Sequence, residues 1–192
     1  NLISFALKNY GKVYHSPHSY NNKYGVPLSI SNLKNNTEYG VFEIGMDKKG
    51  EINNLSKIVK PEIAIITNVS EAHIENFNSL KGIAKAKGEI INNILEGGSI
   101  ILNKNSKFFT YLSNEARKKK INIISFSSKK KADIFLLNTR KIRNYYILKV
   151  MIKNKTFYFK TKNSTNNFIN NILACISALY VLRLDLNNIK KN

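Results

Sequence analysis

The sequence predicts an α/β fold: a mostly parallel, doubly wound sheet with flanking helices, extended by a small antiparallel β meander. Three observations carry this prediction. Short apolar runs alternate with helical patterns as far as residue 126, which is the rhythm of βα units around a parallel sheet. Three strand patterns then follow at 132–138, 145–152 and 156–161, too closely spaced for helices between them. A final amphipathic stretch, 167–182, places Ile169, Ile172, Leu173, Ile176, Leu179 and Tyr180 on one helical face.

In chain order, residues 1–9 read as the body or end of a helix closed by Gly11, and Val13-Tyr14-His15 as a short strand. A polar loop over 16–24 holds Pro17, His18, Asn21 and Asn22. Pro27 then suits the first turn of a helix over 28–33. Residues 39–46 predict a buried strand running into a glycine-containing loop, with Glu43 inside the apolar run, where a carboxylate needs a partner. A helix from Gly50-Glu51-Ile52 to Val59 stops before Pro61, and 62–69 is the next strand. The chain then passes His73 and enters a periodic helix that runs to Leu95 and is ended by Gly97-Gly98. A strand over 99–103, a helix over 106–119 and a strand over 121–126 complete the alternation. The second turn of the meander is expected at Asn154-Lys155.

On the helix before Gly97, Leu80, Ala84, Lys87, Ile91 and Ile94 recur at spacings of four and three, which is one face. Lys81, Lys85 and Glu89 fall on the opposite, solvated side. A lysine in an apolar stripe has two readings. Its stem can cover apolar surface while the ammonium reaches water. Alternatively, burial disfavours the ammonium and leaves a neutral amine able to react with carbon dioxide, giving a carbamate that binds metal as a carboxylate does. Periodicity does not choose between them.

Composition narrows the classes. At 192 residues, 43% of them hydrophobic, the chain can build one substantial core, or one domain with a small appendage. No apolar run approaches the ~20 residues needed to span a membrane, and no signal-peptide pattern is present. Residue 1 is Asn and the chain opens on a helical pattern, as expected of a piece of a larger protein. Cys175, alone, excludes an internal disulfide and a cysteine-based zinc site; it reads as a small core residue, and the expected compartment is the cytoplasm. Thirty-one Lys+Arg against 12 Asp+Glu, net +19, invites a nucleic-acid-binding reading. The lysines are spread along the chain, however, with runs only at 118–120 and 129–131 that read as solvated surface. The tyrosines and phenylalanines lie mostly in strand and helix patterns rather than in a stacking cluster. Neither nucleic acid nor membrane is an expected partner.

Ligands of an open parallel sheet sit beyond the carboxyl ends of its strands. Glu43 lies near one such end, His73 follows the next strand, and Lys87 lies on the helix leaving that crevice. An acidic group, an imidazole and a potential carbamate make a candidate magnesium site. Each is weak alone: Glu43 can equally pair with a neighbouring lysine, and a lone histidine is more often a surface or hydrogen-bonded residue than a ligand. A phosphate-cradling GxxxxGK[ST] loop is absent from the 192 residues.

Several stretches together resemble one family. They are Glu43-Ile44-Gly45-Met46 with Gly50-Glu51-Ile52, Pro61-Glu62, Thr67-Asn68, Ala72-His73-Ile74-Glu75, Phe77, Ser79, and Ala84-Lys85-Ala86-Lys87-Gly88-Glu89-Ile90. This pattern resembles the P-loop NTPase-like central domain of the Mur ligases. The E-I-G…G-E-I spacing with AHIE…AKGEI, and the Asn21-Asn22 and Gly25-Val26-Pro27 loop, is similar to the MurF type, which adds D-alanyl-D-alanine to UDP-N-acetylmuramoyl-tripeptide. The resemblance covers nearly the whole chain. It implies a central ATPase domain over 1–185, truncated after its phosphate loop, with 186–192 beginning the connection to a carboxyl-terminal domain. An amino-terminal UDP-sugar domain would complete the enzyme, and the fragment alone is expected to be inactive.

The resemblance further implies ATP and magnesium as cofactors, and peptidoglycan precursor synthesis as the setting. The tripeptide carboxylate would attack the γ-phosphate, and the amine of D-alanyl-D-alanine would then displace phosphate from the acyl phosphate. Glu43 and His73 would bind magnesium, with Lys87, carbamylated, supporting the His73-bound ion. Asn167 and Asn170 match an H-N-x-x-N motif on the adenine side, with Asn166 standing where the family carries His. Asn21 and Asn22 would touch the muropeptide. The resemblance therefore favours the carbamate reading of Lys87. The competing readings are a sister ligase, such as the tripeptide-forming enzyme or folylpolyglutamate synthase, a basic nucleic-acid-binding module, and a non-catalytic homologue. The Glu43–Ile52 pattern argues against the first, and the joint presence of Glu43, His73 and Lys87 against the last.

Overall fold

The alternation of apolar runs resolves into two sheets in the computed structural model, which describes residues 2–17, 19–71 and 74–188. The larger sheet holds β3 (Ile63–Ile66), β4 (Ser99–Asn103), β5 (Asn122–Ser127), β6 (Ile134–Ile142), β7 (Tyr145–Ile152) and β8 (Lys155–Thr161), in that spatial order. β3 to β6 are parallel, and β6-β7-β8 form the antiparallel meander, joined to the sheet through Phe126 opposite Ile134. The smaller sheet pairs β1 (Val13–His15) in parallel with β2 (Tyr39–Val41). The helices are α1 (Leu2–Leu7), α2 (Gly25–Ser31), α3 (Glu51–Val59), α4 (Ile74–Phe77), α5 (Leu80–Gly88), α6 (Phe109–Lys118) and α7 (Asn166–Val181).

Alternation along β4 explains the double winding. Ile101 points into a core with Leu173, Ile176 and Leu179 of α7 and Ala6 and Leu7 of α1. Ile100 and Leu102 point the other way, onto Leu112 and Ala116 of α6 and onto Ile91 and Ile94. Successive side chains face opposite sides of a strand, so a strand covered on both faces must be apolar throughout. All three of these residues are fully buried, each stabilising the fold by about 1.5–3 kcal/mol through removal from water. Cys175 joins the α7 core at 7% exposure, where burial pushes its thiol up to about 12.

Several boundaries differ from the sequence expectation for local reasons. The strand expected over 39–46 stops at Val41, so Glu43 is exposed on a loop and not inside a buried strand. The helix before Gly97 is interrupted: Asn78 takes a left-handed φ of 58°, and Ser79 caps α5 by accepting the N–H of Gly82 at 3.0 Å. After Gly88 that helix tightens into a 3₁₀ turn, Glu89–Asn93. The last hairpin turn lies at Lys153-Asn154, one residue earlier than expected, with Lys153 at φ 52° and its ammonium 2.6 Å from Asp133. A 3₁₀ turn, Leu186–Asn188, packs Leu186 into the α7 core, and the Tyr10 hydroxyl donates to the Asp185 carbonyl at 2.6 Å. Among the described residues no helix is long and apolar enough to cross a membrane.

Candidate functional site

The loop that follows β2 carries Glu43 and is shaped by polar side chains. The carboxylate of Glu51, in the first turn of α3, accepts the N–H groups of Asp47 at 2.6 Å and Lys48 at 2.9 Å. Those two backbone bonds, Asp47 first, hold its carboxyl below the ordinary carboxylate value. Glu89 reaches in from the 3₁₀ turn and accepts from Gly50 N–H at 2.9 Å and Asn53 N–H at 3.2 Å. It thereby satisfies free donors at the start of α3, so it is a cap in trans and not the solvated residue expected of its helical face. Asn93 adds bonds to the Asn53 carbonyl at 3.1 Å and the Ser56 hydroxyl at 2.8 Å.

Glu43 itself is held by the other predicted loop. Asn21 donates its amide to Glu43 Oε1 at 3.0 Å, and the Asn21 carbonyl accepts the N–H of Gly45 at 2.7 Å. A side chain at 45 would put its Cβ 3.0 Å from Asn21 Cγ, so the close approach uses the glycine. Asn22 is engaged differently: its Oδ1 accepts the N–H groups of Tyr24 at 3.0 Å and Gly25 at 2.9 Å, ordering the entry to α2. The two neighbouring asparagines therefore have separate jobs, one on the acidic residue and one on a helix start.

Lys87 lies on a buried arc of α5 that is wider than the predicted stripe, taking in Ile83 and Ala86 as well as Ala84. Lys81 and Lys85 are exposed, while Lys87 is half-buried. Burial alone lowers its ammonium below the ordinary lysine value. Among the described residues no carboxylate pairs with it; the ion pairs found there join Lys118 to Glu115 and Lys153 to Asp133. A small apolar cluster of Phe77, Ile83 and Ala86 takes in Met46 from the Glu43 loop and Val69 from the loop after β3. This cluster brings the segments bearing Glu43 and Lys87 to one place. His73 lies outside the described residues.

A second polar group sits at the carboxyl ends of β3, β4 and β5, and sequence reasoning did not single it out. Asn103, Asn105 and Ser127 are bonded to one another's segments, and Asn105 reaches Asn170 of α7 at 3.5 Å. Asn167 is exposed in the first turn of α7. The available signal was an Asn-x-Asn closing an apolar strand, where the chain leaves the sheet.

No three His, Cys, Asp or Glu side chains cluster among the described residues. Two features of the site bear on cation binding. Glu43 is an exposed carboxylate oriented through one oxygen, and Lys87 is a half-buried amine, without a carboxylate partner among the described residues, whose ammonium burial lowers below the ordinary lysine value; the neutral amine is the form that combines with carbon dioxide. A hard cation would draw on Glu43, His73 and a Lys87 carbamate.

With this geometry in place, comparison with known proteins is direct. The family described as the Mur ligase middle domain matches residues 1–179. The UDP-N-acetylmuramoyl-tripeptide–D-alanyl-D-alanine ligase of Rickettsia prowazekii is 33% identical over 175 residues, covering 91% of this chain and 39% of that protein. MurF from Acinetobacter baumannii superposes with a TM-score of 0.90 at 26% identity, over 98% of this chain and 41% of the other. MurF from Thermotoga maritima, solved in complex with ADP, gives a TM-score of 0.85 at 26% identity, over 98% and 44%. The chain thus spans about two fifths of the length of the curated relatives it matches, 39% and 42% for two of them.

Proposed function

Since the chain belongs to the Mur ligase middle-domain family and is similar along nearly its whole length to MurF enzymes, we propose that it is the central, ATP-using domain of a ligase that joins D-alanyl-D-alanine to UDP-N-acetylmuramoyl-tripeptide. The observation that carries this reading is that a lysine, half-buried and without a carboxylate partner among the described residues, and a carboxylate oriented by Asn21 stand on segments tied together by the Phe77–Ile83–Ala86 cluster.

In this reading Glu43 and His73 hold magnesium, and Lys87 serves as a carbamate. The bound cation supplies charge stabilisation for the transferring phosphoryl group. Asn21 orients Glu43 through its amide and, with Asn22, stands on the loop that would touch the muropeptide. Asn22 contributes the shape of the same loop. Asn167 and Asn170 lie on the adenine side. Activation of the tripeptide carboxylate as an acyl phosphate, followed by attack of the D-alanyl-D-alanine amine, is the step sequence that suits a site built to gather phosphoryl charge. The reaction belongs to the cytoplasm, where ATP and UDP-linked precursors are available.

The reading also assigns a phosphate loop and its strand to the longer protein. β2 and β3 each have an edge with no strand partner among the described residues. Tyr39 and Val41 of β2 nonetheless pack on the same α1–α7 core as Ile63 and Ile65 of β3. A strand inserted between them would turn the two sheets into one and bring its carboxyl end to the crevice.

The test is a phosphate-release assay on the full-length protein with ATP, magnesium and UDP-N-acetylmuramoyl-tripeptide, offering D-alanyl-D-alanine, a diamino acid or glutamate in turn. Release that depends on D-alanyl-D-alanine is expected. Release that depends on another amine would assign the chain to a sister ligase, and none with any amine would remove the catalytic reading.

A further inference from the structure

The carboxyl ends of β3, β4 and β5 are tied together by side chains to which the proposed reaction gives no role. Asn103 closes β4 at 6% exposure. Its amide donates to the Thr67 carbonyl at 3.0 Å, at the start of the loop that leads to His73, and its Oδ1 accepts the N–H of Asn105 at 2.9 Å. Asn105 in turn accepts from the Ser127 hydroxyl at 2.7 Å and donates to the Ser128 hydroxyl at 3.0 Å and Asn170 Oδ1 at 3.5 Å. Ser127, fully buried, also accepts the N–H groups of Lys129 at 3.0 Å and Lys130 at 2.7 Å. These bonds run without a break from the loop after β3 to the second turn of α7.

A fold alone has little use for such a chain. A buried amide that follows Ile100-Ile101-Leu102 costs desolvation that its hydrogen bonds only offset, and an apolar side chain there would pack without that cost. Fully satisfied polar networks fix one geometry, and this one lies in the crevice where an α/β sheet takes its ligands. It also fixes an orientation: donation by Asn105 occupies Asn170 Oδ1 and leaves the amide of Asn170 as its free donor.

We propose that Asn105 is a positioning residue for the nucleotide base, acting through Asn170, and that Asn103 holds Asn105 in register with the loop leading to His73. This rests on the reading of the chain as an ATP-using domain. An amide donor presented by Asn170 suits a ring nitrogen acceptor on the base, and the network sets that polarity before the nucleotide arrives.

The test is calorimetric titration of full-length wild type, Asn105→Leu and Asn105→Asp with magnesium-ATP and with magnesium tripolyphosphate, which has the phosphates and no base. Asn105→Leu should weaken ATP roughly tenfold, the loss expected of one oriented hydrogen bond, and shift tripolyphosphate by less than about twofold. Asn105→Asp keeps an acceptor for Ser127 but can only accept from Asn170, which turns the Asn170 amide away from the base, so it should weaken ATP about as much as Asn105→Leu. Should Asn105→Leu not fold, Asn170→Ala at its half-exposed position should reproduce the ATP-specific loss. Equal weakening of ATP and tripolyphosphate, no weakening at all, an Asn105→Asp protein that binds ATP as wild type does, or an Asn170→Ala protein that binds ATP normally would each overturn the proposal. A wild type that binds neither probe would remove the ATP-using reading and this inference with it, whereas normal wild-type binding with an inert Asn105 removes only the inference.

Discussion

The two halves of the crevice are built by opposite means. On the β4–β5 side, strands covered on both faces carry fully buried Ile100, Ile101, Leu102 and Phe126, and the buried Asn103 and Ser127 stand at the carboxyl ends. On the β2–α3 side the strands are three residues long, Glu43 is exposed, and the loops are held by side chains bonded to backbone: Glu51 to Asp47 and Lys48, Glu89 to Gly50 and Asn53, Asn21 to Glu43, Asn22 to Tyr24 and Gly25. Apolar burial is strong and non-directional, so it fixes where strands lie. Hydrogen bonds are individually weak and directional, so they aim a carboxylate without burying it. The division gives the site a stiff floor and an adjustable acidic wall.

Mutations sharpen this contrast in order of expected effect. Phe126→Ala should lower stability by about 3–5 kcal/mol in denaturant unfolding, through lost transfer energy and a cavity in the α7 core. On the other wall, Glu89→Ala should cost about 1–3 kcal/mol, because it strips the N–H groups of Gly50 and Asn53 of their acceptor. If Glu89→Ala proved as costly as Phe126→Ala, the division between the two walls would collapse. Gly82→Ala should cost a similar 1–3 kcal/mol, roughly that of a local steric conflict, since its Cβ would run into the Phe77 carbonyl at the α4–α5 junction. Its effect should fall on the Lys87 helix, visible as faster amide exchange in α5 with β4 unchanged.

The smallest effect is one of pH. The carboxyl of Glu51 is lowered in the folded state, so its contribution is present above the ordinary carboxylate value of 4.5 and is lost as pH falls through the lowered value. The loop over 47–50 should therefore loosen in acid before the β4–β5 core responds. Nuclear magnetic resonance shifts of the Asp47 and Lys48 amides should follow that titration, and Glu51→Gln should abolish the pH dependence. Amides that titrate identically in the Gln protein would show that another group is responsible.

The same contrast decides what was legible in the sequence. Strand β4 and helix α3 fall where the apolar period and the Gly50 and Pro61 signals put them, because burial on both faces of one strand and the stops of one helix are local properties. Lys87 was legible for the same reason, being an exception within a periodic stripe. Val41, Phe42 and Ile44 read as one buried strand with Glu43 inside it, whereas Glu43 lies on a loop with its carboxylate bonded to Asn21, 22 residues away. The capping role of Glu89 depends on partners 36 and 39 residues distant, and the Asn105–Asn170 bond spans 65. Spacing along the chain says little about such pairs, since side chains choose these partners only after the sheet has brought them together.

The most direct test of the proposed chemistry is the turnover of full-length Lys87→Ala, measured with and without added formate or acetate, beside Lys85→Ala. The account predicts a loss of at least about a hundredfold for Lys87→Ala, as for removal of a group that stabilises transition-state charge, with partial recovery when the small carboxylate is supplied. Lys85→Ala, exposed one residue outside the buried arc, should turn over as wild type. A Lys87→Ala protein that keeps full activity would contradict the carbamate role and return Lys87 to a lysine whose stem merely covers apolar surface.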